Sequence, residues 1–133
     1  MRKNRWLAKT MLAISLALFC SIGLAKTAKH DVSDGQTGVA SYFNDRYHGQ
    51  RTASGERYDK NALTAAHASL PFGSIVRVVN LQNHHSVEVR INSRAHRSNK
   101  RLLDLSKRAA KELGFLRAGI AKVKITVLRL GEA

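Results

Sequence analysis

Residues 74–92, SIVRVVNLQNHHSVEVRIN, contain two segments in which apolar and polar side chains alternate. This period of two predicts strands over 74–80 and 86–92, because successive side chains of an extended backbone point to opposite faces. The residues between them, 81–85, have the length of a hairpin loop. The second strand has an apolar face formed by Val87, Val89 and Ile91, and a polar face formed by Glu88, Arg90 and Asn92. The stretch therefore predicts a strand pair with one face toward a core.

Further strands and a helix are predicted on either side of this pair. Residues 38–43, GVASYF, predict a first strand, and residues 121–127, AKVKITV, predict a last one. Residues 106–113 predict a helix, because Ser106 can satisfy a backbone N–H at its start and Gly114 accepts the left-handed conformation that ends helices. The apolar stripe of this helix repeats every four residues, at Leu105, Ala109 and Leu113.

The short Ala-rich segment 62–69 predicts a turn of helix. Several short strands with one or two short α-helices favour a mainly β protein whose sheet closes on itself, since closure removes exposed strand edges. The sequence shows no internal repeat and no second domain. We therefore assign residues 37–130 to one β domain, residues 26–36 to a flexible polar leader, and residues 1–25 to a signal peptide.

The signal peptide is predicted from three consecutive features of the N-terminus. A basic head is followed by an apolar run over 11–23 and by small residues that favour cleavage after Ala25. A spanning helix would need about 20 apolar residues, and this run is shorter. Lipid attachment at Cys20 is disfavoured because the large Phe19 precedes it. We expect a periplasmic or secreted monomer without a stable membrane anchor.

Charge is the strongest feature of the composition. The predicted signal carries four of the 23 Lys and Arg residues and none of the nine Asp and Glu residues, so the mature chain would have a net charge of +10. Such a field attracts polyanions, among which an exported protein meets wall polymers and lipid head groups before nucleic acid. The charge could equally serve solubility alone. The mature chain would contain no cysteine, which excludes disulfides and thiol catalysis.

Glu56 ends the polar stretch Thr52-Ala53-Ser54-Gly55-Glu56 and is one of four carboxyl residues placed where they could do chemistry. The other three are Asp45, Asp59 and Asp104. A carboxyl that protonates a leaving oxygen needs a fixed position and a suitable pKa. From the residues alone, a polar turn is favoured over a working acid, since Gly55 lets the backbone turn tightly.

Histidines offer no metal site. His84 and His85 are adjacent and would point to opposite faces of a strand, and no His pair has ligand spacing. We expect no metal and no cofactor. His67 follows two alanines near the expected barrel wall, where it is either a satisfied structural histidine or a polar member of a site.

Six motifs in the same order resemble the rare lipoprotein A family, and the similarity extends from Gly38 to Leu128. The motifs are GVASYF (38–43), TASGE (52–56), ALTAAH (62–67), LPFG (70–73), VRIN (89–92) and DLS (104–106). The resemblance implies a six-stranded double-psi β-barrel with a groove across one face. It also implies an endolytic lytic transglycosylase that acts on peptidoglycan glycan strands stripped of peptide, with no role for nucleic acid. Family members often carry a lipid anchor and a C-terminal peptidoglycan-binding module, neither of which we expect here.

The resemblance also assigns roles to individual residues. Glu56 and His67 are implied as catalytic residues. The implied substrate-binding residues are Thr52, Ser54, Asn92, Ser93 and Arg94. Asp104 is expected to have a structural role, such as capping the helix start, and is a weak candidate for a substitute acid.

The chain departs from the family after Asn92, where Ser93 replaces an aspartate and Ala95-His96-Arg97 replaces Gly-Pro-Phe. A serine cannot supply the negative charge of the aspartate, so Arg57 and the cationic loop 94–101 are expected to keep Glu56 ionised. Lytic cleavage can nevertheless proceed with one carboxyl, because the sugar's own 6-hydroxyl is the nucleophile. Our hypothesis is that Glu56 protonates the glycosidic oxygen and then accepts the proton of that hydroxyl. The alternative is a peptidoglycan-binding barrel that has lost activity through Ser93, and a general anion binder is a third interpretation.

Overall fold

The computed structural model describes residues 35–96 and 100–132. The predicted signal peptide and residues 26–34 of the predicted leader lie outside the described residues. No helix among the described residues is both long and apolar enough to cross a membrane. The similarity to the family can therefore be tested on the β domain.

Six strands and two short helical segments make up this domain. The strands are β1 (Gln36–Tyr42), β2 (Thr64–Ala66), β3 (Ile75–Asn80), β4 (Ser86–Ser93), β5 (Leu103–Leu105) and β6 (Ala121–Arg129). A 3-10 turn spans Asp45–Tyr47, and the helix α1 spans Lys107–Glu112. The sequence thus predicted four of the six strands and the α-helix.

The strands close into a barrel in the order β1-β5-β2-β4-β3-β6. The predicted hairpin β3–β4 is antiparallel, with Val78 opposite Val87. β6 lies antiparallel to both β1 and β3. The short strands β2 and β5 are antiparallel to each other, but β2 runs parallel to β4 and β5 runs parallel to β1. This mixed, closed topology is a double-psi β-barrel, as the resemblance implied.

The barrel interior is filled by aliphatic side chains, as the alternating pattern requires. Val87, Val89 and Ile91 of β4 are buried, which confirms the predicted apolar face of that strand. The largest fully buried side chains of the chain include Ile91, Leu103, Leu105, Leu113 and Ile125. One end of α1 therefore contributes Leu113 to the same core as the strands.

The helical turn predicted over 62–69 is wrong, because Thr64–Ala66 forms strand β2. Ala65 and Ala66 are almost completely buried between β4 and β5. Pairing with strands on both sides outweighs the helix propensity of alanine.

The start of α1 is capped as predicted, but by Ser106 alone. The Ser106 hydroxyl accepts a hydrogen bond from the backbone N–H of Ala109 at 3.2 Å, and Gly114 follows the helix with φ of 78°. Asp104 does not cap this helix, because its carboxylate accepts a 2.7 Å hydrogen bond from the Ser41 hydroxyl on β1. The capping role expected for Asp104 is therefore wrong.

Candidate active site

Glu56 closes a tight turn that begins at Thr52. The backbone N–H of Thr52 donates to the Glu56 carbonyl at 2.7 Å, and that of Gly55 donates to the Thr52 carbonyl at 2.9 Å. Gly55 has φ of 93°, a conformation that side chains with a Cβ rarely adopt. The Thr52 hydroxyl donates to the same Glu56 carbonyl at 2.9 Å and lies 3.0 Å from the Ser54 hydroxyl. Both hydroxyls, implied above to bind substrate, thus shape the turn in this structure.

This turn is attached to the end of β4. The backbone N–H of Ser54 donates to the Asn92 carbonyl at 3.3 Å. The backbone N–H of Ala53 donates to the Ser93 hydroxyl at 3.4 Å. Ser93, where the resemblance implies an aspartate, therefore helps to hold the loop that carries Glu56.

The Glu56 carboxylate is bound by two side chains of β4. Arg90 donates to both carboxylate oxygens, at 2.7 and 2.8 Å, and the Asn92 amide donates to one of them at 3.2 Å. The pKa of Glu56 lies below its usual value, mainly because of the Arg90 hydrogen bond, with burial opposing and Asn92 adding to the effect. With 44% of its side chain exposed, Glu56 is an ionised acceptor within reach of a ligand.

The arginine that lowers the pKa of Glu56 is Arg90, whereas the sequence suggested Arg57 and the loop 94–101. The Arg57 guanidinium donates instead to the Gly49 carbonyl at 2.9 Å. Arg90 was missed because it lies 34 residues from Glu56 along the chain. The signal that could have found it was the polar face of β4, on which alternation places Arg90 beside Asn92.

His67 follows β2 and is buried. Its Nδ1 accepts hydrogen bonds from the backbone N–H groups of Ser69 and Leu70, at 3.1 and 3.0 Å. Burial, and then the nearby Arg94 charge, lower the pKa of His67. The imidazole is therefore neutral at pH 7, and since Nδ1 is an acceptor, Nε2 carries the hydrogen.

His67 and Glu56 are anchored to successive residues of β4. Asn92 binds the Glu56 carboxylate, and the Ser93 carbonyl accepts a hydrogen bond from the His67 backbone N–H at 3.2 Å. Within 35–96 and 100–132, no hydrogen bond joins the two side chains themselves. The Arg94 guanidinium donates to the His67 carbonyl at 3.4 Å, and its central carbon lies 4.0 Å from the centre of the Phe72 ring. The structure thus gathers the implied residues at the end of β4, with Arg94 on the His67 side.

A small aromatic hollow of about 70 Å³ adjoins this turn. Its walls include Phe43, Tyr47 and Tyr58, together with Thr52 and Ser93. The Phe43 ring packs against both tyrosines, with ring centres 6.0 and 5.1 Å apart. Tyr58 is almost completely buried, whereas Tyr47 is 37% exposed and offers apolar surface for a sugar ring.

Asp104 lies on the same outer side of the barrel as Ser93. Strand pairing aligns Ser93 with Ala66 and Ala66 with Asp104, and paired residues share a face. Because β2 alone separates their strands, the two backbones are roughly 10 Å apart. The Asp104 carboxylate is bound by Ser41 and, at 3.3 Å, by Arg101. It lines a separate hollow of about 590 Å³.

No group of three or more His, Cys, Asp or Glu residues that could hold a metal ion occurs in the part of the chain that the structure describes. The functional groups that the structure gathers at the end of β4 are a carboxylate, a guanidinium, an amide, a neutral imidazole and hydroxyl groups.

The mixed, closed strand topology and the carboxylate on its outer face define a double-psi β-barrel protein with a candidate acid–base site. A family model described as lytic transglycolase matches residues 35–125, and the chain belongs to that family.

Named relatives share this domain. The endolytic peptidoglycan transglycosylase RlpA of Neisseria meningitidis serogroup A is 47% identical over 112 residues, which is 84% of this chain and 47% of the relative. The protein of the same name from Campylobacter jejuni is 42% identical over 77% of this chain and 38% of its own length. That of Pseudomonas aeruginosa strain UCBPP-PA14 is 50% identical over 66% of this chain and 26% of its own length. The chain thus spans about half the length of the Neisseria relative and less of the other two.

The solved structures that superpose on this barrel are more distant in sequence. A Streptomyces papain inhibitor superposes with a TM-score of 0.59 at 20% identity, covering 72% of this chain and 96% of its own. A mutant Clavibacter michiganensis expansin in complex with cellohexaose superposes with a TM-score of 0.59 at 17% identity, covering 75% of this chain and 53% of its own. At these identities the similarity is one of fold.

Proposed function

We propose that this protein is an endolytic lytic transglycosylase that cleaves peptide-free glycan strands of peptidoglycan outside the cytoplasm. The proposal is supported by the family to which the chain belongs and by relatives that are named endolytic peptidoglycan transglycosylases. These relatives are longer than this chain, so the activity has to be justified by the site within the shared domain.

The observation that carries the proposal is the position of the Glu56 carboxylate. Arg90 and Asn92 fix it on the outer face of β4, and its side chain is nearly half exposed. A carboxyl that transfers protons needs this combination of fixed geometry and access. The adjoining aromatic hollow supplies a surface for a sugar ring beside it.

The proposed reaction uses Glu56 twice. In its protonated form, Glu56 donates a proton to the glycosidic oxygen while the bond from C1 to that oxygen breaks. The resulting carboxylate then accepts the proton of the muramoyl 6-hydroxyl while the oxygen of that hydroxyl forms a bond to C1. The products are an anhydro-muramoyl end and a new hydroxyl end, and no water is consumed. Hydrolysis, by contrast, normally needs a second carboxyl, either as the base that activates water or as the nucleophile.

The neighbouring groups orient the sugar in this scheme. The Nε2 hydrogen of neutral His67 and the amide of Asn92 are hydrogen-bond donors for sugar hydroxyl or amide oxygens. Ser93 supplies a neutral hydrogen bond where the family has a charge. Arg90 holds Glu56 as a carboxylate at rest, so Glu56 must gain a proton before the first step.

The second candidate is a barrel that binds glycan without cutting it. The observation in its favour is the combination of the neutral Ser93 with a Glu56 that is already ion-paired to Arg90. A resting site of this kind lacks both a protonated acid and a second carboxylate at position 93. Binding would then persist without bond cleavage.

Mass spectrometry of peptide-free glycan strands after incubation with purified mature protein distinguishes the two. We expect anhydro-muramoyl ends with the wild-type protein and a loss of about 10²–10⁴-fold for Glu56→Gln, the range for removal of a general acid–base group. Glu88→Gln is a matched control, because Glu88 is an exposed carboxyl on the same strand face and, within residues 35–96 and 100–132, forms an ion pair with Arg77 alone. Glycan that sediments with the wild-type protein but acquires no anhydro ends would support the binding barrel instead.

A further inference from the structure

A cationic hollow of about 650 Å³ lies between the loop after Glu56 and helix α1. Its lining residues are Lys60, Asn61, Lys107, Arg108, Lys111, Glu112 and Leu116. Four of these side chains carry a positive charge and one carries a negative charge. None of these lining residues belongs to the candidate active site at the end of β4.

Two of the four cations are already paired. Lys107 Nζ lies 2.7 Å from Asp45, and Arg108 lies 3.6 Å from Glu112. Lys60 and Lys111 have no carboxylate partner within the described residues 35–96 and 100–132. The hollow therefore has two ammonium groups available for an anion.

Tyr58 connects this hollow to the candidate active site. Its hydroxyl accepts a hydrogen bond from the backbone N–H of Lys107 at 3.1 Å. Its ring lines the aromatic hollow that contains Thr52 and Ser93. Because Tyr58 lines one hollow and is hydrogen-bonded to Lys107, which lines the other, the two hollows have adjacent walls.

We propose that the cationic hollow is a subsite for the lactyl carboxylate of a muramoyl residue next to the cleaved bond. This inference rests on the proposed function and deepens it. A muramoyl residue whose peptide has been removed exposes one carboxylate on its lactyl ether, whereas a substituted residue has an uncharged amide at that position. Lys60 and Lys111 pair with the carboxylate, and Leu116 provides apolar surface for the lactyl methyl group. The hollow thus recognises the absence of peptide.

Binding of end-labelled peptide-free strands, measured by fluorescence anisotropy at low salt, tests the subsite. All proteins carry Glu56→Gln, so that strands are not cut during the measurement. We expect the double variant Lys60→Gln/Lys111→Gln to bind roughly three- to tenfold more weakly, the size expected for two exposed charge contacts. The matched control is Lys122→Gln/Lys124→Gln, which removes two exposed charges from β6. Its affinity should stay within about twofold of the parent, as is usual for exposed charges without a partner.

Chemically altered strands complete the test. Strands whose lactyl carboxylates have been converted to methylamides should bind the parent and the Lys60→Gln/Lys111→Gln variant equally. The proposal is wrong if both double variants lose the same factor on unmodified strands, since the effect is then the general field of the protein. It is also wrong if the Lys60 and Lys111 changes weaken binding to an oligonucleotide or to anionic vesicles but leave glycan affinity unchanged.

Failure of this subsite and failure of the proposed function give different results. The subsite is measured by binding alone, in a background that does not depend on cleavage. If the wild-type protein produces no anhydro ends, the proposed activity is wrong. The subsite is still tested by comparing the affinities for unmodified and methylamide strands. If the parent protein binds unmodified and methylamide strands equally and anhydro ends still form, the subsite is wrong and the proposed activity stands.

Discussion

Arg90 donates two hydrogen bonds from its guanidinium to the two carboxylate oxygens of Glu56, at 2.7 and 2.8 Å. The two residues are 34 positions apart in the sequence. The neighbouring pair on the same sheet surface, Arg77 and Glu88, makes one contact of 3.4 Å. A two-pronged pair of this kind fixes the orientation of the carboxylate as well as its charge. The carboxyl proposed for proton transfer is thus positioned by the wall of the barrel.

The pH dependence of cleavage follows from this contact. Because the pKa of Glu56 lies below its usual value, only a small fraction of the carboxyl is protonated near neutral pH. If Glu56 must donate a proton first, the rate rises by about tenfold per pH unit as the pH falls, and levels off near that lowered pKa. Initial rates between pH 4 and 8 measure this. A rate that is flat near neutral pH and falls in acid would mean that Glu56 acts only as a base.

Acid also weakens the fold through the same group, and this limits the pH range. A carboxyl whose pKa is lower in the folded state stabilises the protein above its unfolded pKa, and the contribution is lost as the pH falls through the folded pKa. Circular dichroism at each pH separates loss of structure from loss of protonation.

Arg90→Gln removes the main cause of the lowered pKa of Glu56. The pKa should rise toward its usual value, so the decline of the rate with rising pH should begin at a higher pH. The maximum rate should fall because the carboxylate is less well held. Arg90→Lys should raise the pKa of Glu56 by less, since lysine keeps the positive charge but cannot donate two parallel hydrogen bonds to the carboxylate. Carbon-13 NMR of the Glu56 carboxyl gives its pKa directly, with Arg77→Gln as control. An unchanged pKa in Arg90→Gln would contradict the assignment.

Ser93→Asp introduces the negative charge that the resemblance to the family implies at this position. A carboxylate there would raise the pKa of Glu56, because like charges disfavour joint ionisation. It could also stabilise positive charge on the sugar in the transition state. We expect at least a tenfold higher rate of anhydro-end formation, roughly 1.4 kcal/mol of barrier. Ser93→Asn, of similar size but neutral, should give no such gain. A slower Ser93→Asp protein would mean that the loop serves another purpose.

Ser106→Ala tests how the helix is joined to the barrel. The Ser106 hydroxyl is fully buried, donates to the Ala62 carbonyl at 2.6 Å and caps α1 through Ala109. Its loss should lower the free energy of unfolding by about 1–3 kcal/mol, as for a cap whose partners are left buried. Urea denaturation measures this. Ser86→Ala, at the exposed start of β4, should change stability by less than about 0.5 kcal/mol.

The sequence predicted those strands that show their own pattern. β3, β4 and β6 alternate over six to nine residues, so one face is visibly apolar. β2 and β5 have three residues each, too few for a period to be seen. They exist because neighbouring strands bind them on both sides, and that information lies elsewhere in the chain. Tertiary pairing likewise decided against the helix expected from Ala65 and Ala66.

The sequence grouped Glu56, Asn92 and His67 in one candidate site, and the structure brings them to the end of β4, but the electrostatics of that site were not predicted. Motifs identified Glu56, Asn92 and His67, because each stands in a short segment with a fixed order. The pairing of Glu56 with Arg90 was missed, because adjacency in sequence suggested Arg57. Only the docking of the turn onto the end of β4 decides which arginine reaches the carboxylate.

Barrel closure makes the first strand of the domain a partner of the last, with Gln36 opposite Ile125. During synthesis, β1 and β3 keep unpaired edges until β6 emerges, so the domain cannot fold stepwise from its N-terminal end. Contacts of such long sequence separation slow folding. Until β6 has been made, the unpaired strand edges can pair with other chains. A ribosome-arrested chain that stops before Ala121 should therefore be a good chaperone substrate and a poor template for native structure.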